Sequence, residues 1–195
     1  MYHFLLQILL RIDHGQERRA MNNQAEKYGE RAVTRARLVA VFNALLLQRQ
    51  SGRPKVAEII AEAGVARSTF YDHFDGVEAL LNESLGTLLG EIAKCLVGQE
   101  DLDRLEWLTA HIDENRLLAR ELLTGPRGER AEAELARAVS QRLDWEGDKR
   151  LAGILVGGTV IAALGAWVAG RLTANPTEMA SAIYRSSNAI LAQRP

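Results

Sequence analysis

Val56-Ala-Glu-Ile-Ile-Ala-Glu-Ala-Gly64-Val-Ala-Arg67-Ser-Thr-Phe70-Tyr-Asp-His-Phe74 is the stretch whose reading decides the fold. Val56, Ile59, Ile60 and Ala63 fall at i, i+3, i+4 and i+7, so one face of a short helix is apolar while Glu58 and Glu62 face water. Gly64 follows the last apolar residue, where a left-handed conformation closes a final turn, and Val65 beyond it is placed to fold back onto that helix. A second helix starts near Arg67. Its Phe70 and Phe74 lie one turn apart and point inward, which leaves Ser68, Thr69, Tyr71 and Asp72 outward, with Arg67 and His73 on the flanks. The spacing predicts a helix, a tight turn and a second helix whose outward side chains can nearly all hydrogen-bond.

The DNA major groove, about 12 Å wide, admits a short helix of this kind and offers it a readable pattern of donors and acceptors. The same spacing also fits any surface helical hairpin, so the pattern alone leaves both readings open. Charge distribution leans toward a polyanion. Net charge is only -1 over 195 residues, yet the chain through His73 carries eleven Lys and Arg against seven Asp and Glu, and the remainder thirteen against eighteen. The basic end is the end that holds the motif.

The run from Ile59 to Phe74, followed by Glu78, Ala79, Leu80 and Leu81, resembles the signature of the TetR family of bacterial transcriptional regulators. At motif level the likeness covers Thr34 to Leu81, and the rest of the chain agrees in length and helical pattern. The resemblance implies an all-α homodimer with an amino-terminal three-helix DNA-binding domain and a carboxy-terminal helical domain for dimerisation and a small-molecule inducer. By matched position it implies that Lys55, Thr69 and Tyr71 hold phosphates, while Arg67, Ser68, Asp72 and His73 face base edges. Four residues depart from the family pattern. Ala66 stands where a capping serine is usual, Ile60 replaces a small alanine, Lys55 replaces a threonine, and Val77 replaces a phosphate-contacting lysine.

Outward from the motif, Leu38, Val41, Phe42, Leu45 and Leu46 keep helical spacing and predict a helix that completes a three-helix unit. Ser51, Gly52, Arg53 and Pro54 break it. Asp75 with Glu78 suggests a capping box opening a long helix, whose buried face runs from Leu80 and Leu81 through Leu85, Leu88, Leu89 and Ile92 to Leu96. These signals divide the chain near residue 81, and the resemblance implies a helix-turn-helix DNA-binding domain at 34–81 and a helical ligand-binding and dimerisation domain at 82–195. Residues 1–33 read as an amino-terminal extension, either partly disordered or a start-site artefact. Its apolar run from Tyr2 to Ile12 lacks a positive n-region and a small-residue cleavage site, and Met21 offers an alternative start. Arg18, Arg19, Lys27, Arg31, Arg35 and Arg37 suit either a basic arm near DNA or a solvated linker.

Residues 101–150 remain helical in pattern, with Gly125, Pro126 and Gly128 expected to form a loop. Trp107 and His111, four apart on one helical face, are either pocket-lining residues or a buried aromatic beside a satisfied histidine. Leu151 to Gly170 holds no charge, and its twenty residues span about 30 Å as a helix, the thickness of a bilayer core. Ten of the twenty are Gly or Ala, however, and Gly158, Ala162, Ala166 and Gly170 form a small-residue stripe that lets a second helix approach. The resemblance assigns this helix and the next, opened by Pro176, to a four-helix dimer interface. The alternatives are a membrane-anchored helical signalling protein, or a helical interaction protein whose DNA motif has degenerated. The lone Cys95 reads as core packing and suits a reducing cytoplasm. Without a phosphate loop, nucleophile motif or metal-ligand spacing, the chain is read as no enzyme, with no cofactor and no metal.

Overall fold

Only helices form among the residues that the computed structural model describes, 24–47, 53–98, 102–145 and 147–192. They are α1 (Gln24–Leu47), α2 (Val56–Ala63), α3 (Arg67–Tyr71), α4 (Val77–Val97), α5 (Leu102–Glu114), α6 (Arg116–Leu123), α7 (Gly125–Ser140), α8 (Lys149–Val168) and α9 (Pro176–Ala192). The chain divides into two units, one ending at Ser84 and the other beginning at Leu85, with the division inside α4. The apolar run Tyr2 to Ile12 and the alternative start at Met21 lie outside the described residues.

In the first unit, α1, α2 and α3 enclose a small core of Leu38, Phe42, Ile59, Ala63, Phe70, Phe74, Leu80 and Leu81, each nearly or fully buried. α1 begins at Gln24, well before the periodicity that starts at Thr34. Gly64 adopts φ +62, ψ +38, as its place after α2 predicts, and the Val65 N–H reaches back to the Ile60 carbonyl at 3.1 Å. That bond satisfies one of the carbonyls a helix end leaves open. α4 starts at Val77, and the Gly76 carbonyl accepts its first amide bonds. The Asp75–Glu78 capping box is therefore not the one used, and Glu78 pairs with Arg53 instead.

The second unit is built around one apolar core drawn from α4 through α9, including Leu89, Ile92, Leu96, Leu105, Leu108, Leu135, Val139, Val156, Val160, Leu164 and Trp167. The expected loop at Gly125 is instead a helix start. Gly125 takes φ +59 and Pro126 occupies the first turn of α7, where its missing N–H costs nothing. Thr124 alone separates α6 from α7.

Helix α8 is long and apolar enough to cross a bilayer, with a mean hydropathy of 2.1. One of its faces is buried within the unit through Ala152, Val156, Val160, Ile161 and Leu164, so the structure uses it as a core helix. Gly153 and Gly157 let the α7 backbone come close. A Cβ at Gly157 would stand 3.0 Å from the Ala136 nitrogen and from the Glu132 carbonyl oxygen, and one at Gly153 would collide with Ser140 and the Ala136 carbonyl. Asp148 caps α8 by accepting from the Leu151 N–H at 2.9 Å. Asn175 and Glu178 form a reciprocal capping box on α9, at 2.8 and 2.9 Å. Trp167 Nε1 donates to the Ala174 carbonyl at 2.8 Å, which ties the turn after α8 to its last residues.

Candidate nucleic-acid interface

α3 is five residues long and would not persist alone, because a helix this short forms too few bonds to offset its nucleation. Two aromatic anchors hold it. Phe70 is fully buried and Phe74 is 3% exposed, and their ring centroids lie 6.2 Å apart. The chain continues past Tyr71 with α-type bonds from Asp72 N–H to the Ser68 carbonyl and from Phe74 N–H to the Phe70 carbonyl, both at 2.9 Å, and with one tighter bond from His73 N–H to the Phe70 carbonyl at 3.0 Å. Ala66 enters the helix in extended conformation without any side-chain cap, as its departure from serine implies.

With the phenylalanines inward, Arg67, Ser68, Tyr71 and Asp72 are exposed, and Thr69 and His73 are partly covered. All six share one short helix and the turn after it. Arg67 reaches toward the Tyr71 hydroxyl at 3.5 Å and lies over its ring, 5.6 Å from the centroid. Lys55 is exposed just ahead of α2, and its own amide is held by the Glu58 carboxylate at 2.6 Å. Its ammonium is thus carried by a backbone fixed at the helix entry. Burial, reinforced by Arg31 and Arg35, pulls the His73 imidazole below its usual range against the opposing pull of Asp72. His73 is therefore neutral near pH 7 and can both donate and accept.

A groove of about 450 Å³ lies between α1 and α3, lined by Glu30, Arg31, Thr34, Thr69, Asp72 and His73. Thr34 and Arg31 face Thr69 across it, a pair of hydroxyls beside a guanidinium. Neither Thr34 nor Glu30 stands out in the sequence as a site residue, because nothing local tells which face of α1 meets α3. Of the other α1 arginines, Arg35 and Arg31 are engaged with protein groups, and Arg37 extends to 3.5 Å from where a Gly64 side chain would begin. Of the residues that suited either a basic arm or a solvated linker, Arg31 and Arg35 are thus tied to the turn after α3 and to Glu83. Arg18 and Arg19 lie outside the described residues, and of Lys27 only the helical backbone is described.

In the second unit Trp107 and His111 stack at 5.6 Å with planes 5° apart, and Arg104 lies 5.9 Å from the Trp107 centroid. Burial lowers the His111 pKa, opposed by Glu114. Neither residue lines the cavity of about 700 Å³ found among Val97, Arg142, Trp145, Tyr184, Asn188 and Leu191. That cavity draws on three stretches far apart in sequence, and no local pattern announces it. Of the expected interface stripe, Ala162 is exposed, Gly158 and Ala166 are half-buried, and Gly170 lies past the end of α8 at φ +75. Leu151, Ile154 and Leu155 extend the same side of α8 and are 53%, 47% and 49% exposed.

Residues 47–84 match the family described as bacterial regulatory proteins, tetR family, a span that takes in α2, α3 and the start of α4. Among solved structures, the chain is similar to a TetR transcriptional regulator from Streptococcus agalactiae 2603V, at 20% identity over 85% of this chain and 99% of that one, with a TM-score of 0.46. It is also similar to the dihydroxyacetone kinase operon activator DhaS, at 18% identity over 83% and 96% of the two chains and a TM-score of 0.49. No curated protein matches the chain.

Proposed function

We propose that this chain, whose residues 47–84 match the tetR family of bacterial regulatory proteins, is a DNA-binding transcriptional regulator that works as a cytoplasmic homodimeric repressor on a palindromic operator. The observation that carries this reading is the outward face of α3, where Arg67, Ser68, Tyr71 and Asp72 stand exposed over the buried Phe70 and Phe74. Arg67 suits the O6 and N7 acceptors of guanine, and Asp72 suits the cytosine amino group. Ser68 and His73 complete the base-facing set. Lys55, Thr69 and Tyr71 hold phosphates, which set register without reading sequence. Two copies related by a two-fold axis would set their α3 helices in successive major grooves, about 34 Å apart.

The exposed side of α8 supports the dimer. Leu151, Ile154 and Leu155, together with Gly158, Ala162 and Ala166, leave an apolar strip on a helix whose other face is already covered. Such a strip against its symmetry mate is the interface a four-helix bundle uses. The cavity beside Trp145 and Tyr184, with Arg142 and Asn188 for orientation, has the volume of a small-molecule site and is a candidate for the inducer. An inducer would release DNA by favouring a dimer with wrongly spaced recognition helices. On this reading the chain acts as a regulator and not as an enzyme.

The reading is tested by selecting random duplexes on the purified full chain and titrating the enriched sequences across salt. Enrichment of a palindrome whose affinity falls steeply with salt is the expected result. Weak, unselective binding would sink it and favour a protein-interaction role.

A further inference from the structure

The carboxy end of α3 is held from outside the helix. Arg35, on α1, uses all three guanidinium nitrogens there. Nε donates to Glu83 Oε1 at 3.1 Å and Nη2 to Glu83 Oε2 at 3.0 Å, while Nη1 donates to the His73 carbonyl at 2.9 Å. The guanidinium also lies over the Phe74 ring, 4.4 Å from its centroid. One helical turn earlier, Arg31 Nη2 reaches the Asp72 carbonyl at 3.4 Å.

Carbonyls at a helix end lack intrahelical partners and carry the negative end of the dipole, so two guanidinium groups complement them in both hydrogen bonding and charge. A bidentate arginine–carboxylate fork also fixes the plane of the guanidinium, which a lysine cannot do. Arg35 thereby joins two helices and the turn after a third within one unit: it stems from α1, is aligned by Glu83 of α4, and ends on the His73 carbonyl just past α3. Its side chain is 42% exposed and that of Glu83 is 40% exposed. Half-exposed pairs usually add little to stability, though a bidentate fork can add more, so thermal melts are needed to separate its contribution to folding from its geometric role.

We propose that Arg35 is a positioning residue for DNA recognition, aligned by Glu83 so that it fixes the angle at which Arg67, Ser68 and Asp72 meet the bases. The inference rests on the DNA-reading role of α3. It opposes the simpler use of Arg35 as a phosphate-binding cation of a basic arm, and the two uses predict opposite signs. If Arg35 bound phosphate, removing the nearby Glu83 charge would strengthen binding to every duplex. If Arg35 positions α3, removing that charge releases the fork and weakens binding to the chosen sequence alone.

The test uses the full chain, a duplex enriched on the unaltered protein, and a scrambled duplex of equal length. Glu83→Gln, Arg35→Lys, the double variant carrying both, and Arg35→Ala are compared with the unaltered chain by fluorescence anisotropy over a salt series, with thermal melts in parallel. Each variant is expected to lose roughly tenfold in affinity for the enriched duplex, the scale of a lost hydrogen bond to a charged group. Affinity for the scrambled duplex and the salt slope should stay unchanged, and the double variant should lose no more than either single one, since both act through one fork. Tighter binding of Glu83→Gln to both duplexes would overturn the inference. So would a fall of about 0.9 in the salt slope for Arg35→Ala, the mark of one lost phosphate contact. Equal losses on both duplexes with lowered melting temperatures would reduce Arg35 to a folding role and overturn it too. Should the unaltered chain enrich no sequence, the DNA-reading role fails first, which is distinct from variants that leave an enriched sequence equally well bound.

Discussion

Arg67 and Asp72 carry the most direct residue-level prediction, because both are exposed on α3 with no buried partner to lose. Arg67→Ala should weaken the enriched duplex by about 1–3 kcal/mol and relax preference at a single position. Asp72→Asn should broaden base preference at another position, as a repeated selection would reveal. Uniform strengthening on all duplexes would instead mean that Asp72 only repels phosphate. His111 gives a prediction in pH. Burial holds its folded pKa below the ordinary 6.5, so the folded chain declines a proton that the unfolded chain accepts. The resulting stability is full above the unfolded pKa and is lost as pH falls toward and through the depressed folded value. His73 acts with the same sign, for the same first cause. Urea unfolding of the unaltered chain at about pH 7.5 and about pH 5.5 should therefore show a drop that His111→Gln makes smaller.

Between elements, the close approach of α7 to α8 depends on glycine. Gly157→Ala should destabilise the protein by about 1–3 kcal/mol, since the added carbon meets the Ala136 and Glu132 backbone, which has no side-chain freedom with which to yield. Gly86→Ala is the contrasting case. Its Cβ would meet only the Glu134 carboxylate, at an ordinary 3.7 Å, so the gain in helix propensity of roughly 0.5–1 kcal/mol should raise the melting temperature. Opposite shifts in the two melts are expected. A raised melting temperature in both would show that α7 relaxes around the new methyl at Gly157. The α6–α7 break follows similar logic: the Leu123 carbonyl lies 2.8 Å from the Cβ positions of both Gly128 and Gly165, so side chains are absent where a helix end is received.

At the scale of the whole molecule, the apolar strip on α8 makes the state of association testable. Ile154→Glu and Leu155→Glu place charges on exposed positions of one monomer and should leave its helical content unchanged. In a dimer the same charges would be buried against their symmetry mates at a cost of several kcal/mol. Sedimentation should thus show monomers, and the enriched palindrome should bind with lower affinity and reduced cooperativity. An unchanged sedimentation coefficient would assign dimerisation to another face.

Periodicity made the helices of the motif legible in sequence. Gly64 closes α2, and Phe70 and Phe74 turn inward, because the 3.6-residue repeat, glycine's free φ and aromatic burial are local properties that act in any helical context. The outward face of α3 follows from the same facts. Gly125 and Pro126 carried equally local chemistry, yet the same residues can end a helix or begin one, and only the packing of α6 against α7 decided between the two. Tertiary structure likewise chose which glycines of α8 meet α7 and which small residues stay exposed, since a helix that is apolar all round gives its faces no label. The same holds for Arg35. As a sequence feature it is one cation among several, and its pairing with Glu83 forty-eight residues away exists only once α1 and α4 lie together, because side-chain partners across such a separation are set by packing and not by spacing.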